Sequence, residues 1–200
     1  MLKDEYERKN DFEKEYNEKI LFQDVSFKKY YDYLEVNQCH FKNCSFVDTI
    51  FQGIDIDHSM IENSNLSNLT LENHSYQNTE FYNSNLVGIS FVDSYLENVT
   101  FKDCNLLYAN FSNTHLKNVY FDGCNLERTS MNQMKWKNLS FHNCNINQTE
   151  FLKTSLKDID MTTCNITNIK VEPTNLKGII VNSYQALILS KLLGIRIKDD

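Results

Sequence analysis

Every fifth residue from Val36 to Leu176 is apolar, 29 positions in succession without a slip. Phe41, Phe46, Phe51, Ile56 and Ile61 follow Val36, and Phe151, Leu156, Met161, Ile166 and Val171 lead into Leu176. At 41% apolar composition, chance would produce such a run with a probability on the order of 10⁻¹¹. Two residues before each centre lies a second, mostly small or β-branched set. All six cysteines (Cys39, Cys44, Cys104, Cys124, Cys144, Cys164) share that slot with residues such as Thr49, Ser59, Thr79, Ser94 and Ala109. The other three places are dominated by Asn, Asp, Ser, Lys and Glu. A period of five fits neither the 3.6 of a helix nor the 2 of a plain strand. A large and a small residue two apart point the same way, as in a short strand, and the Asn/Asp-rich remainder supplies a turn.

A period of 20 lies on top of the period of five. Cys104, Cys124, Cys144 and Cys164 are 20 apart, as are Phe81, Phe101, Phe121 and Phe141. Four pentads per coil predict a square solenoid in which identical slots stack, about seven coils over a rod of roughly 35 Å. Two pentads are crowded: Met134 with Trp136, and His74 with Tyr76, predict a local widening of the coil.

The ends differ. Residues 1–35 are expected to form a charged N-terminal segment and cap, with a charged helix over Asp4 to Lys19 and a bulge or capping strand near 28–35. Residues 36–181 form the repeat. Residues 182–200 are expected to give a short capping helix, with Ser183 as N-cap and Gly194 just past its end, then a strand at Ile195-Arg196-Ile197. That helix carries more apolar surface than one coil end can hide, which predicts a homodimer. Tyr184, Leu187, Ile188, Leu192, Leu193, Ile195 and Ile197 are the expected contact.

Motifs such as Cys104-Asn105-Leu106, Ala109-Asn110-Phe111 and Cys124-Asn125-Leu126 resemble the A(D/N)LXX unit of pentapeptide-repeat proteins. The resemblance covers residues 36–176. It implies an all-β fold: a right-handed quadrilateral parallel β-helix with a short C-terminal capping helix. The string Gly178 to Ile197 is similar to the C-terminus of the quinolone-resistance (Qnr) type, which implies rods joined tail to tail. Because the register never breaks, the chain looks like the loopless branch.

Charge refines this picture. The net charge is −7, which argues against unaided binding to nucleic acid or anionic lipid. Residues 36–100 hold eight acids against Lys42 alone, whereas residues 101–176 hold seven acids and eight bases. The negative field therefore sits in the first half. Asp48, Asp55, Asp57, Glu62, Glu72, Glu80, Asp93 and Glu97 all occupy outward places, where they can imitate DNA phosphates. The Qnr resemblance implies the matching target: DNA gyrase or topoisomerase IV, protected from fluoroquinolones by a DNA mimic. A generic interaction scaffold with another partner is the alternative. One row runs the other way in its second half: Asp57, Gln77, Glu97, then Lys117, Lys137, Lys157 and Lys177.

Nothing in the sequence points to catalysis. There is no P-loop and no Gly-x-Ser-x-Gly elbow. His40, His58, His74, His115 and His142 never fall 20 apart, and thiols stacked in a line cannot close a tetrahedron around a metal. No cofactor and no metal are expected. No apolar run approaches the 18 residues of a membrane span. The charged N-terminus lacks the apolar stretch of a secretory signal, so a reduced, cytoplasmic setting is expected for the six thiols.

Overall fold

The computed structural model describes residues 6–12, 15–27 and 29–198. The chain winds as a parallel β-solenoid in which each residue sits over the one 20 places earlier. Leu96 pairs with Leu116 and Leu116 with Trp136, while Phe101 pairs with Phe121 and Phe121 with Phe141. Four walls result. Wall 1 is centred on Val36, Ile56, Tyr76 and Leu96, wall 2 on Phe41, Ile61, Phe81 and Phe101, wall 3 on Phe46, Leu66 and Leu86, and wall 4 on Phe51, Leu71 and Phe91. The strands are β1 (Glu7–Lys9), β2 (Tyr16–Glu18), β3 (Ile20–Gln23), β4 (Tyr30–Asn37), β5 (His40–Lys42), β6 (Ile50–Asp57), β7 (Met60–Glu62), β8 (Ser75–Gln77), β9 (Glu80–Tyr82), β10 (Tyr95–Lys102), β11 (His115–Asp122) and β12 (Lys135–His142). Walls 1 and 2 carry the long ladders, and the last three strands run across both; wall 3 is held by single bridges such as Asn85 to Asn105.

The pentad follows from two constraints. The centre and the small residue two before it face inward and are buried along most of the rod, with Phe51, Trp136 and Leu176 among the centres part-exposed. Two places after the centre the backbone enters the left-handed region: Asn63 has φ 50, Asn83 φ 44, Asp103 φ 53 and Asn143 φ 52. Asn and Asp tolerate that conformation best among residues with a side chain, which is why they recur there. Inside, Phe81, Phe101, Phe121 and Phe141 stack with ring centroids 4.8, 4.9 and 5.2 Å apart. The buried thiols fill the small slot and donate to backbone carbonyls, Cys124 to Phe101 O at 3.3 Å and Cys144 to Phe121 O at 3.5 Å.

The first 35 residues depart from expectation. Instead of a charged helix over Asp4 to Lys19, β1 and β2 are strands that pair in parallel with β3 and β4. An existing coil edge offers a row of backbone partners to any extended segment, and Glu7, Arg8 and Glu18 can stay exposed in outward places. Residues 1–5, 13, 14 and 28 of that segment lie outside the described residues. The expected irregularity near 28–35 is a shortened pentad. Phe22 pairs 19 residues ahead with Phe41, whereas Tyr31 pairs 20 ahead with Phe51, so one residue is missing between Phe27 and Tyr31.

Both crowded centres stay in register, Trp136 with Leu116 and Tyr76 with Ile56 and Leu96, and the departures beside them are local. Trp136 is only half-buried, its indole N–H donates to Ser155 O at 2.8 Å, and β12 is the last strand on the wall among the described residues. At His74, the Ser75 N–H turns to the Asp55 carboxylate (Oδ1, 2.8 Å) rather than to backbone, and β6 pairs with β8 only at Ile56 and Asp57. The His74 ring lies over Gly53, where a Cβ would come within 2.7 Å of it.

The C-terminal helix α1 (Ser183–Ser190) closes the last coil. Its N-cap is Asn182, not Ser183, in a capping box with Gln185. Gln185 and Leu189, one turn apart, are the buried pair. Gln185 Nε2 donates to Met161 O (2.7 Å) and Cys164 O (2.8 Å), satisfying carbonyls that a next coil would otherwise take. A 3-10 turn over Lys191–Leu193 follows and ends at Gly194, φ 71. Ile195 to Ile197 form no strand: α1 occupies the coil end, leaving that segment no ladder to join.

Candidate functional site

The pentad register places all eight candidate carboxylates outward, but on different walls. Asp55, Asp57 and Glu97 lie on wall 1, with Asp93 at the corner leading into it. Glu62 and Glu80 lie in successive coils of wall 2, Glu72 on wall 4, and Asp48 at the corner between walls 3 and 4. They form one acidic half of the rod rather than one patch. Sequence reasoning missed Glu35, which pairs across from Asp55 on wall 1. It stood in the segment assigned to the cap, and the short pentad hid its register.

Five of the eight are engaged within the fold. Asp55 accepts from Ser75 N–H and from the Tyr33 hydroxyl, and His74 Nδ1 lies 3.5 Å away. The bond to Asp55, with burial adding to it, pushes the Tyr33 hydroxyl up to about 12. Asp57 accepts from Asn78 Nδ2 at 3.0 Å and lies 2.9 Å from His58 Nδ1. Glu62 pairs with Lys42 at 2.7 Å, which holds its carboxyl below the usual range. Glu72 accepts from the Ser90 hydroxyl. Glu97 takes Lys117 and the Tyr95 hydroxyl, the lysine being the stronger cause of its lowered pKa. Asp48, Glu80 and Asp93 form no ion pair among the described residues.

Wall 1 has a shallow groove of about 280 Å³ at this end, lined by Tyr16, Glu35, Asp55, Asp57, Ser75 and Gln77 among others. Over residues 33–38, 53–58, 73–78 and 93–98 the wall carries Glu35, Asp55, Asp57, Asp93 and Glu97 and no Lys or Arg, and the coil before them adds Glu15, Glu18 and Lys19. The lysine row expected from the spacing is present beyond it. Glu97 stands opposite Lys117 and Lys117 opposite Lys137, with His115 beside Lys135 in the parallel row.

At the far end, six of the seven expected dimer residues are exposed: Tyr184 (71%), Leu187, Leu192, Leu193 (57%), Ile195 and Ile197. Ile188 is half-buried and lines a groove with Leu189 and Ile169. Ile180 adds to the exposed apolar surface and was not anticipated.

Among the described residues no three His, Cys, Asp or Glu side chains come together to hold a metal ion, and no helix is long and apolar enough to cross a membrane. Burial pushes the Cys39 thiol up to about 11, so it stays a protonated core filler at neutral pH.

The pentapeptide repeat region family matches residues 83–151 and 118–186, together just over half of the chain. No curated protein matches. Among solved structures, the chain is similar to full-length QnrB1, a plasmid-mediated fluoroquinolone resistance protein, at 19% identity over 90% of each chain with a TM-score of 0.47. It is similar to HetL, a pentapeptide repeat protein involved in heterocyst differentiation regulation from the cyanobacterium Nostoc sp. strain PCC 7120, at 14% identity over 88% of this chain and 92% of that one, TM-score 0.39. A pentapeptide repeat protein from the thylakoid lumen of Arabidopsis thaliana matches at 14% identity over 66% and 72% of the two chains, TM-score 0.22.

Proposed function

Since the chain belongs to the pentapeptide-repeat family, we propose that it is a non-enzymatic, cytoplasmic binding protein that mimics DNA: its acidic coils occupy the DNA-binding saddle of DNA gyrase or topoisomerase IV and protect that enzyme from fluoroquinolones. The observation that carries this reading is wall 1 over residues 33–98, a laddered surface with five acids and no Lys or Arg in its windows 33–38, 53–58, 73–78 and 93–98. A basic saddle built for phosphates meets there a fixed row of negative charge, with Glu62 and Glu80 continuing it around the corner onto wall 2. The tail string Gly178 to Ile197, similar to that of the Qnr type, supports the reading too. Its exposed apolar residues suit a dry contact with a second copy, giving a two-fold rod with acidic ends.

The second reading, a generic scaffold for an unrelated partner, is favoured by one observation: the carboxylates spread over three walls and five of them are satisfied within the fold. A gyrase supercoiling assay in the presence of ciprofloxacin separates the two. Added protein should restore supercoiling in proportion to its concentration. No restoration with gyrase or with topoisomerase IV leaves the scaffold reading.

A further inference from the structure

Wall 1 reverses its charge halfway along. Over residues 113–118, 133–138, 153–158 and 173–178 it carries Lys117, Lys135, Lys137, Lys153, Lys157 and Lys177 against Asp158 alone. Lys117 and Lys137 are stacked residue over residue by the ladder, and Lys157 follows 20 residues on. Lys177 lies in the last coil after a 3-10 turn over Pro173–Leu176, where the register shifts so that Asp158 N–H bonds to Gly178 O at 2.9 Å. From Lys117 to Lys177 the row spans three coil steps, about 14 Å. Lys117 is taken up by Glu97, and Lys157 lies 4.0 Å from Asp158. Among the described residues Lys135, Lys137, Lys153 and Lys177 form no ion pair. Outward slots are free of packing demands, so nothing in the fold calls for like charges stacked at this spacing.

We propose that this lysine strip binds the phosphate backbone of duplex DNA. Its width decides the shape of the ligand. On the flanking walls the charges largely cancel: on wall 4 Glu150 pairs with Lys170 and leaves Glu172, while on wall 2 Asp122 pairs with Lys102 and only Asp160 adds to it. A flat anionic surface would gain nothing from those walls, whereas a narrow rod of phosphates laid on wall 1 meets the lysines, four of them without an ion pair among the described residues. The acidic first half repels a duplex, which confines the contact to the coils beyond Glu97. The chain's net charge of −7 conceals this strip because charge segregates along one wall. The contact does not depend on a topoisomerase partner.

Fluorescence anisotropy of the full-length protein with a duplex of about 20 base pairs, at roughly 50 mM salt and titrated upward, tests it. The affinity should fall steeply with salt. Lys135→Gln with Lys137→Gln and Lys157→Gln should weaken binding at least tenfold, and the three Arg substitutions should retain it. Lys102→Gln with Lys170→Gln, on the flanking walls and paired with Asp122 and Glu150, should leave it unchanged. Absence of binding at low salt overturns the proposal, and so does equal weakening by the flanking pair. Binding to phosphatidylserine vesicles without binding to the duplex also overturns it, in favour of a membrane.

Discussion

A left-handed corner two places after each centre is the local demand that most shapes this sequence. Where Asn, Asp or Gly fills it the backbone strain is small; Tyr108 (φ 60), Gln133 (φ 57) and Lys153 (φ 57) fill it at greater cost. Gln133→Asn removes one methylene and keeps the amide, so it isolates that cost. The substitution should raise stability by about 0.5 kcal/mol, detectable as a shift in the denaturation midpoint; an unchanged or lowered midpoint would show that the corner is not strained. At this scale the sequence is almost fully transparent. Each slot has its own rule, and the inward centres, the small slot and the Asn/Asp turns all appear in the structure where the period puts them. The exceptions are residues whose size breaks a slot, such as Trp136 and His74, whose side chains leave it part-exposed.

Single elements matter most where the ladder ends. Gln185 holds two carbonyls of the last coil and closes the capping box of α1. Gln185→Leu keeps the volume and leaves those carbonyls buried without donors, a loss of about 2–3 kcal/mol, read as a lower melting temperature with early loss of helical signal. Alanine at the exposed Tyr184 should cost far less. Ion pairs between coils give a second test. Lys42 holds Glu62 below its ordinary value of 4.5. Its contribution is therefore full above that pH and fades as pH falls through the depressed folded value. Glu62→Gln should lower the melting temperature slightly at pH 7 and not at all at the acid end of that window; a difference that persists there would assign the loss to packing. Elements were less legible than slots. The strands at Glu7–Lys9 and Tyr16–Glu18 bear charged outward residues and little inward apolar signal, and only the neighbouring coil makes them strands. The tail's helix was visible, but its cap lay one residue earlier than expected, and Ile195 to Ile197 found nothing to pair with.

For the whole molecule, the proposed account is one rod with three surfaces: acidic first coils, a basic strip beyond them on wall 1, and an apolar tail. Leu192 and Leu193, both exposed, belong to the tail, and Leu192→Glu with Leu193→Glu should convert a dimer into a monomer by light scattering. A wild type already monomeric at micromolar concentration contradicts the dimer and the long-rod geometry with it. Partner choice was the least legible property. Outward residues carry the contact yet answer to no packing rule, and a charge total averages over walls that differ in sign.

Binding of gyrase to two charge variants across a salt series tests DNA mimicry by the acidic coils most directly. Replacing Asp55, Asp57, Glu62, Glu72 and Glu97 with Asn or Gln keeps outward slots polar, and the variant should fold. Its affinity for gyrase should fall at least tenfold, about 1.4 kcal/mol, with a shallower salt dependence than the wild type. Replacing Lys117, Lys137 and Lys157 with Gln should change gyrase binding little. If the lysine set abolishes binding while the acidic set leaves it intact, mimicry of DNA by the acidic coils is wrong.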